Sequence, residues 1–597
     1  MITNSIKIMV CLLSLGLSAG SFAQDGEARK PLFGETHIHT AYSFDAYLFN
    51  TRATPDDAYE FGKGKPLKHP LGQTYQLKRP LDFMSVTDHG FFMGSMLKMT
   101  DSSHRLSKHP LAAIVNDPDP RVRSTAFQAV VTGQINGKSA NVSALFDRGV
   151  QKDTWERVIE SANRHNDPGT FTTFIGYEWT STDNGMNMHR NVIFKGDTAP
   201  QPFTRIDSQN PEGLWNWMDD IRADGFEALA IPHNSNKSDG RMFERETSDD
   251  TPFTKEYAAQ RNRNEPLVEV TQVKGTSETH PMLSPNDEFS DFEIDGMRVA
   301  SPIKITKFAG GYVRDAYRTG LEFQDTKGFN PYRFGLIGSS DSHTGIVPVI
   351  EEDYSGKVGN ADGTPEVRIN MRRDLMDFGA SGLAGVWAEE NTRDSIYNAL
   401  RRKETWATSG PRIKVRFFGG FNMKDVTPGD KDWVRAAYLK GVSMGGELKA
   451  TDATQTPTFA VWAIKDPESG NLDRIQIVKG WSENGESQEQ VYDAVWSNGR
   501  MKDPTTGKLP AVGNTVDLKT ATYTNSIGAV ELMGLWTDPD FNAQQNAFYY
   551  VRVLEIPTPR WNVYDEVELG KPFPEDLAKT IQERAYTSPI WYDRAGG

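Results

Sequence analysis

GETHIHTAYSFD, residues 34–45, places His37, His39 and Asp45 within a dozen positions. In an extended segment residues i and i+2 share a face, so the two imidazoles point the same way and can hold one cation. Asp45 follows in a loop. A single pair of this kind can equally be a polar patch at a strand end, so the reading turns on whether the chain repeats it. It does. LDFMSVT (81–87) reads as a buried strand that terminates in Asp88-His89-Gly90, and FTTFIGY (171–177) runs into Glu178-Trp179-Thr180. His189-Arg190-Asn191 opens the apolar run Val192-Ile193-Phe194. ALAI (228–231) ends in Pro232-His233-Asn234, LVEVTQV (267–273) ends at Lys274-Gly275, and FGLIG (334–338) ends in SSDSH (339–343).

Six of the eleven histidines, His37, His39, His89, His189, His233 and His343, thus lie at strand ends or starts together with Asp45, Glu178 and Asp341. One histidine capping a strand end is ordinary, whereas six such coincidences point to a metal site. Nitrogen and oxygen ligands without sulfur suit manganese, zinc or iron, and a carboxylate such as Glu178 can bridge two ions.

Helical stretches separate these strands. Thr54-Pro55-Asp56-Asp57 starts a short helix, with a threonine cap, proline in the first turn and acids against the helix dipole. Residues 153–163, 214–221 and 391–402 also read as helices, the last capped by Thr392. Alternating strands and helices predict an α/β fold built on a parallel barrel, with its chemistry at the carboxyl ends of the strands. Residues 96–151 lack strand periodicity and read as an inserted cap or lid in which His104 and His109 are solvated. Residues 347–368, rich in Gly, Asp and Glu, read as a mobile loop near the site. From Arg412 onward short β segments (IKVRFF, FAVWAI, RIQIVKGW, AVELMGLW, FYYVRVLEI) separated by turn residues predict an antiparallel sheet or sandwich, its aromatics forming core. The expected organisation is a segment over 1–23 that is removed, a hydrolase barrel over 24–410 and a β-rich C-terminal domain over 411–597.

A chain of 597 residues exceeds what one hydrophobic core supports. Its net charge of −14 argues against long nucleic acid or an anionic membrane as partner, since both need a basic face. Lys7, the short apolar run 8–17 and the small-x-small pattern Ser21-Phe22-Ala23 form a secretory signal, so the expected location is periplasmic or extracellular. That run is too short to span a bilayer, and no other stretch is long and apolar enough. Cys11, the single cysteine, lies inside it, which leaves the mature chain without thiol chemistry.

The order HIH, DH, GYE, H, PH and D-x-H resembles the ligand motifs of the PHP (polymerase and histidinol phosphatase) superfamily over the first two thirds of the chain. GETHIHTAYSFDA, VTDHG, FIGYEWT, IPHNSN, VKGTSE, GSSDSH and the late PTPRW look more narrowly like the DUF3604 family. The resemblance implies a PHP-like distorted (β/α)7 barrel holding two or three divalent ions. It implies that His37, His39, Glu178 and Asp341 hold one ion, that Glu178, His189 and His233 hold a second, and that Asp45, His89 and His343 hold a third. Asp45 stands where many members have histidine, which leaves the third ion open.

Arg190, Lys274 and Arg412 lie near these motifs and can hold a phosphate oxygen, the competing role being an ordinary salt bridge. Asp88 can orient His89 or cap its turn. Glu278 and His280 follow a glycine turn and read as a solvated loop. The expected function is metal-dependent hydrolysis of phosphate esters: a water whose pKa two cations lower toward neutrality attacks phosphorus in line. No dense Arg/Lys clamp for a dianion accompanies the motifs, which favours phosphodiesters of small organic molecules. The alternatives are a phosphomonoesterase, a carboxylic ester or amide hydrolase, and a non-catalytic periplasmic metal-containing binding protein. Oligomeric state is not legible.

Overall fold

The computed structural model describes residues 29–594 apart from 136 and 450–454. The signal read over 1–23, with Cys11, lies outside the described residues. The strands that position the site are β1 (Lys30–Glu35), β2 (Phe83–Val86), β3 (Thr172–Trp179), β4 (Arg190–Phe194), β5 (Ala228–Pro232), β6 (Leu267–Gln272), β7 (Gly335–Gly338), β8 (Leu383–Ala388) and β9 (Thr405–Thr408). Those that follow in the same large sheet are β10 (Leu472–Glu483), β11 (Glu486–Trp496), β12 (Asn546–Glu555) and β13 (Arg584–Thr587).

The large sheet runs β5-β4-β3-β2-β1-β8-β9-β13-β12-β10-β11. β1, β2 and β3 are mutually parallel, as the sequence predicts. The crossovers carry helices α1 (Pro55–Gly62) and α2 (Arg148–His165). α1 starts where expected: Thr54 accepts from the Asp57 amide, Asp57 returns the bond and Pro55 opens the first turn. Asp147 caps α2, whose Trp155, fully buried, meets the Tyr177 ring edge-on at 5.7 Å.

The sheet is mixed and not purely parallel. β4 runs antiparallel to both β3 and β5, and β8 runs antiparallel to β1. The reason is connection length, because a parallel crossover needs about a dozen residues or more. Only the ten residues between Trp179 and Arg190, which include a small two-stranded turn, join β3 to β4. β6 and β7 pair in parallel in a separate sheet, linked by α3 (Val313–Lys327). That sheet packs directly on the large one: a Cβ on Gly338 would lie 2.9 Å from the carbonyls of Leu383 and Thr408.

The expected β-rich region is present. Lys414–Gly420, Thr458–Ile464 and Glu531–Thr537 form an antiparallel sheet. β10, β12 and β13, however, continue the large sheet through the pairing of β9 with β13, Trp406 opposite Thr587. One core cluster accordingly runs from Phe33 and Trp155 through Trp406 to Phe417, Phe459 and Tyr549. Segment 96–151 contains short helices and Pro120–Thr132; Met96, Leu106, Leu111, Val115 and Ala126 bury against Phe44, Leu48 and Phe91 of the motif segments.

Candidate metal centre

All the ligand-bearing segments meet at one rim. His37 and His39 follow the end of β1, His89 follows β2, Glu178 closes β3, His233 follows β5, and Asp341 and His343 follow β7. His189 precedes β4, but that strand is antiparallel, so its start lies at the same rim. The opening motif is stitched to the last one. Ile38 bridges Ser342 in parallel, His39 N donates to Ser342 O at 2.8 Å, and Asp341 N donates to His37 O at 2.7 Å. Asp341 is thereby held at φ +57°, a left-handed conformation that costs a non-glycine residue energy and that clusters at functional sites.

The nine predicted ligands are all buried; ligand atoms near enough to share an ion group His37, His39 and Glu178, then Glu178, His189 and His233, then His39, His89 and His343, and last His37, His233 and Glu269, with Asp341 and Asp45 alongside as ion-pair partners. In the first, His37 Nε2 lies 3.6 Å from Glu178 Oε2 and 3.4 Å from Asp341 Oδ1, and His39 Nε2 lies 3.2 and 3.5 Å from the same two oxygens. In the second, Glu178 Oε1 is 2.6 Å from His189 Nδ1 and 3.4 Å from His233 Nε2. In the third, Asp45 Oδ2 is 3.1 Å from His89 Nε2 and 2.9 Å from His343 Nε2. Glu178 is common to the first two groups.

This donor set suits divalent cations. It is nitrogen and oxygen only, and His37 Nε2 and His39 Nε2, both fully buried, have no hydrogen-bond partner. Leaving a buried polar atom so costs about 1–3 kcal/mol, a cost that coordination removes. Burial pushes the Glu178 carboxyl up, but His89, His189 and His233 more than reverse this and hold it well below the usual range. The same balance against His343 and His89 keeps Asp45 anionic, and against Lys274, Lys357 and His37 it keeps Asp341 anionic. Burial depresses His189 to about 4 and His343 to about 3, so both present free lone pairs at neutral pH.

A second layer fixes these ligands. Glu269, an acid in the middle of β6, lies 3.0 Å from His37 Nδ1. Ser43 Oγ lies 2.8 Å from His39 Nδ1 and accepts from His89 N. Asp88 accepts from Thr40 N and Thr40 Oγ1 at 2.6 and 2.7 Å, so it clamps the HIHT turn. Thr180 and Thr182 hydroxyls lie 2.6 Å from the second nitrogens of His89 and His189. Lys274 pairs with Asp341, and Lys357 Nζ sits 2.7 Å from His343 Nδ1 and 3.3 Å from Asp341 Oδ1. Gly275, at φ +87°, makes the turn after Lys274, where a Cβ would stand 2.2 Å from Glu293 O. Sequence reading finds neither Glu269 nor Lys357. The one signal for Glu269 is a charge inside the buried run LVEV; Lys357 lies unmarked in a glycine-rich loop.

The centre opens into a cavity of about 520 Å³, lined in part by Asp45, His89, Glu178, His189, Asp341, His343, Lys274 and Lys357. Two of the expected cations are not brought there. Arg190 is buried away from it, with Nε 2.9 Å from Glu265 Oε1 and Nη1 2.5 Å from Met188 O. Arg412 donates to the carbonyls of Arg79 and Pro80 beside a separate cleft of about 150 Å³. Both take the salt-bridging or structural role instead, because strand alternation turns Arg190 away from the face that carries Glu178. Glu278 corrects another expectation: it is not in a solvated loop but buried with Arg314, Arg552 and Tyr550, while His280 stacks on Phe308 at 3.9 Å. His104 and His109 cap short turns in the inserted segment and belong to none of the ligand groups.

A solved structure described as a two-domain protein containing a predicted PHP-like metal-dependent phosphoesterase, from Bacteroides vulgatus, is similar at 12% identity and a TM-score of 0.28, over 78% of this chain and 86% of that one. No curated protein matches the chain. The family described as "Protein of unknown function (DUF3604)" matches residues 26–594, and the chain belongs to that family.

Proposed function

We propose that this chain is a metal-dependent hydrolase of phosphate esters, with phosphodiesters of small organic molecules as the favoured class. The observation that carries the reading is the shared carboxylate: Glu178 presents Oε1 to His189 and His233 and Oε2 to His37, His39 and His89 at the floor of a ligand-sized cavity. The groups given above would hold two or three divalent ions, of manganese, zinc or iron. Such ions supply Lewis acidity and lower the pKa of water at the site toward neutrality.

The chain's own residues do the rest. Lys274 and Lys357 flank Asp341 at the cavity floor, where their ammonium groups can donate to a phosphoryl oxygen as charge develops on it. Burial, against the pull of Asp341, lowers Lys357 to about 8. Both lysines are already paired with Asp341, and the diester preference follows the lack of a dense Arg/Lys clamp among the sequence motifs. Asp88 fixes the HIHT turn and touches no reacting atom. The architecture that accompanies this reading is the distorted (β/α)7 barrel with segment 96–151 as cap, export being directed by residues 1–23.

Purified protein loaded with manganese or zinc should release p-nitrophenol from bis(p-nitrophenyl) phosphate faster than from p-nitrophenyl phosphate, and a chelator should stop it. Turnover of p-nitrophenyl acetate alone would assign the site to carboxylic esters; tight metal binding without any turnover would assign it to binding.

A further inference from the structure

We propose that the ester carries a bulky apolar group, aryl or branched alkyl, seated on a wall formed by Phe49, Phe127, Met297, Met371, Leu375 and Phe378; this rests on the phosphoesterase reading above. All six line the same cavity as the metal ligands Asp45, His89, Glu178, His189, Asp341 and His343. Each is only half-buried, so part of each large apolar side chain faces the cavity, and Phe127 and Met371 are backed by core clusters. At about 520 Å³ the cavity is in the range of whole small-molecule ligands, far larger than one phosphoryl group requires.

The wall is preformed. Phe127, from the inserted segment, lies 5.2 Å from the ring of Phe49 and stacks on Phe44 at an interplanar angle of 14°. The Phe378 carbonyl accepts from Arg560 Nη2 at 2.9 Å and from Trp561 Nε1 at 2.8 Å. Two polar groups beside the wall, Arg298 and Asp362, are engaged with protein partners. Arg298 pairs with Asp239, and the Asp362 carboxylate accepts from Lys357 N and Val358 N at 2.8 and 2.7 Å. Over these apolar side chains a sugar or nucleobase gives up hydration that they cannot replace, whereas a phenyl ring loses nothing polar.

The test keeps the leaving group constant. Methyl, phenyl and 5′-thymidyl p-nitrophenyl phosphates are compared by kcat/KM with the manganese-loaded protein, and methylphosphonate and phenylphosphonate by calorimetric affinity. The expected result is a preference of at least tenfold for the phenyl member in both series, with Phe127→Ala and Phe378→Ala each cutting that ratio threefold or more. Equal phenyl and methyl values, or a preference for the thymidyl ester, would overturn the proposal. Tighter phenylphosphonate binding without turnover of any ester would support the apolar wall while removing the phosphoesterase reading; because the wild-type ratios need no variant, a misfolded variant does not blur the outcome.

Discussion

Glu269 lies 3.0 Å from His37 Nδ1, with both side chains fully enclosed, so the imidazole is held with Nε2 aimed at Glu178 and Asp341. A carboxylate behind a metal-binding imidazole fixes the ring and raises its basicity, and its loss ordinarily weakens metal affinity by about 10–100-fold. Glu269→Gln should show a loss of this size in competition with a chromophoric chelator. Unchanged affinity would mean that β6 holds His37 by packing alone.

Glu178 joins the first two ligand groups, so its removal should cost more than that of any histidine. Glu178→Ala is expected to lose at least one bound ion per chain by elemental analysis and to lower turnover by at least 100-fold, while far-UV circular dichroism stays unchanged. A fully active variant would sink the assignment.

The motifs were legible because each ligand terminates or opens a short apolar strand, a pattern visible as LDFMSVT-DH or ALAI-PH without knowing which strands pair. Local capping chemistry was equally readable: Thr54 and Thr392 cap their helices as their sequences predict. Pairing partners were not. That β9 lies beside β13, across some 180 residues, depends on tertiary packing, as does the antiparallel course of β8. β11 was missed because ESQEQVYDAVW is polar and half-exposed without clean alternation. The apolar wall escaped for a related reason: its residues come from four distant segments, of which only 96–151 carries a reading, as an insert.

Arg560 of the PTPRW stretch ties the β-rich region to the cavity. It donates from Nε and Nη2 to the Glu293 carboxylate at 2.9 and 2.8 Å and, from Nη2, also to the Phe378 carbonyl. Lysine cannot reproduce this fork. Arg560→Lys should lower stability by about 2 kcal/mol in urea unfolding and raise KM for a bulky ester more than it lowers kcat. A stability loss with KM unchanged would restrict Arg560 to a structural role.

Glu555 supplies a pH dependence independent of the metal centre. Burial pushes its carboxyl up to about 8, against hydrogen bonds from Ser469 and Gly470, whereas the unfolded chain ionises near 4.5. Folding therefore takes up a proton between these values, so stability falls as pH rises through that window and levels off above 8. The effect is at most about 5 kcal/mol at one proton and 1.36 kcal/mol per pKa unit. Glu555→Gln should flatten this fall in denaturant titrations at pH 6 and 9; an unchanged slope would assign it to other groups.

The most direct measurement is elemental analysis of the full chain after manganese or zinc loading and desalting. Nine buried nitrogen and oxygen ligands sharing Glu178 should retain two or three ions per chain, falling by at least one in His37→Ala and in His233→Ala. Fewer than one ion per chain in the wild-type protein, or a content that neither substitution changes, would contradict the metal centre itself.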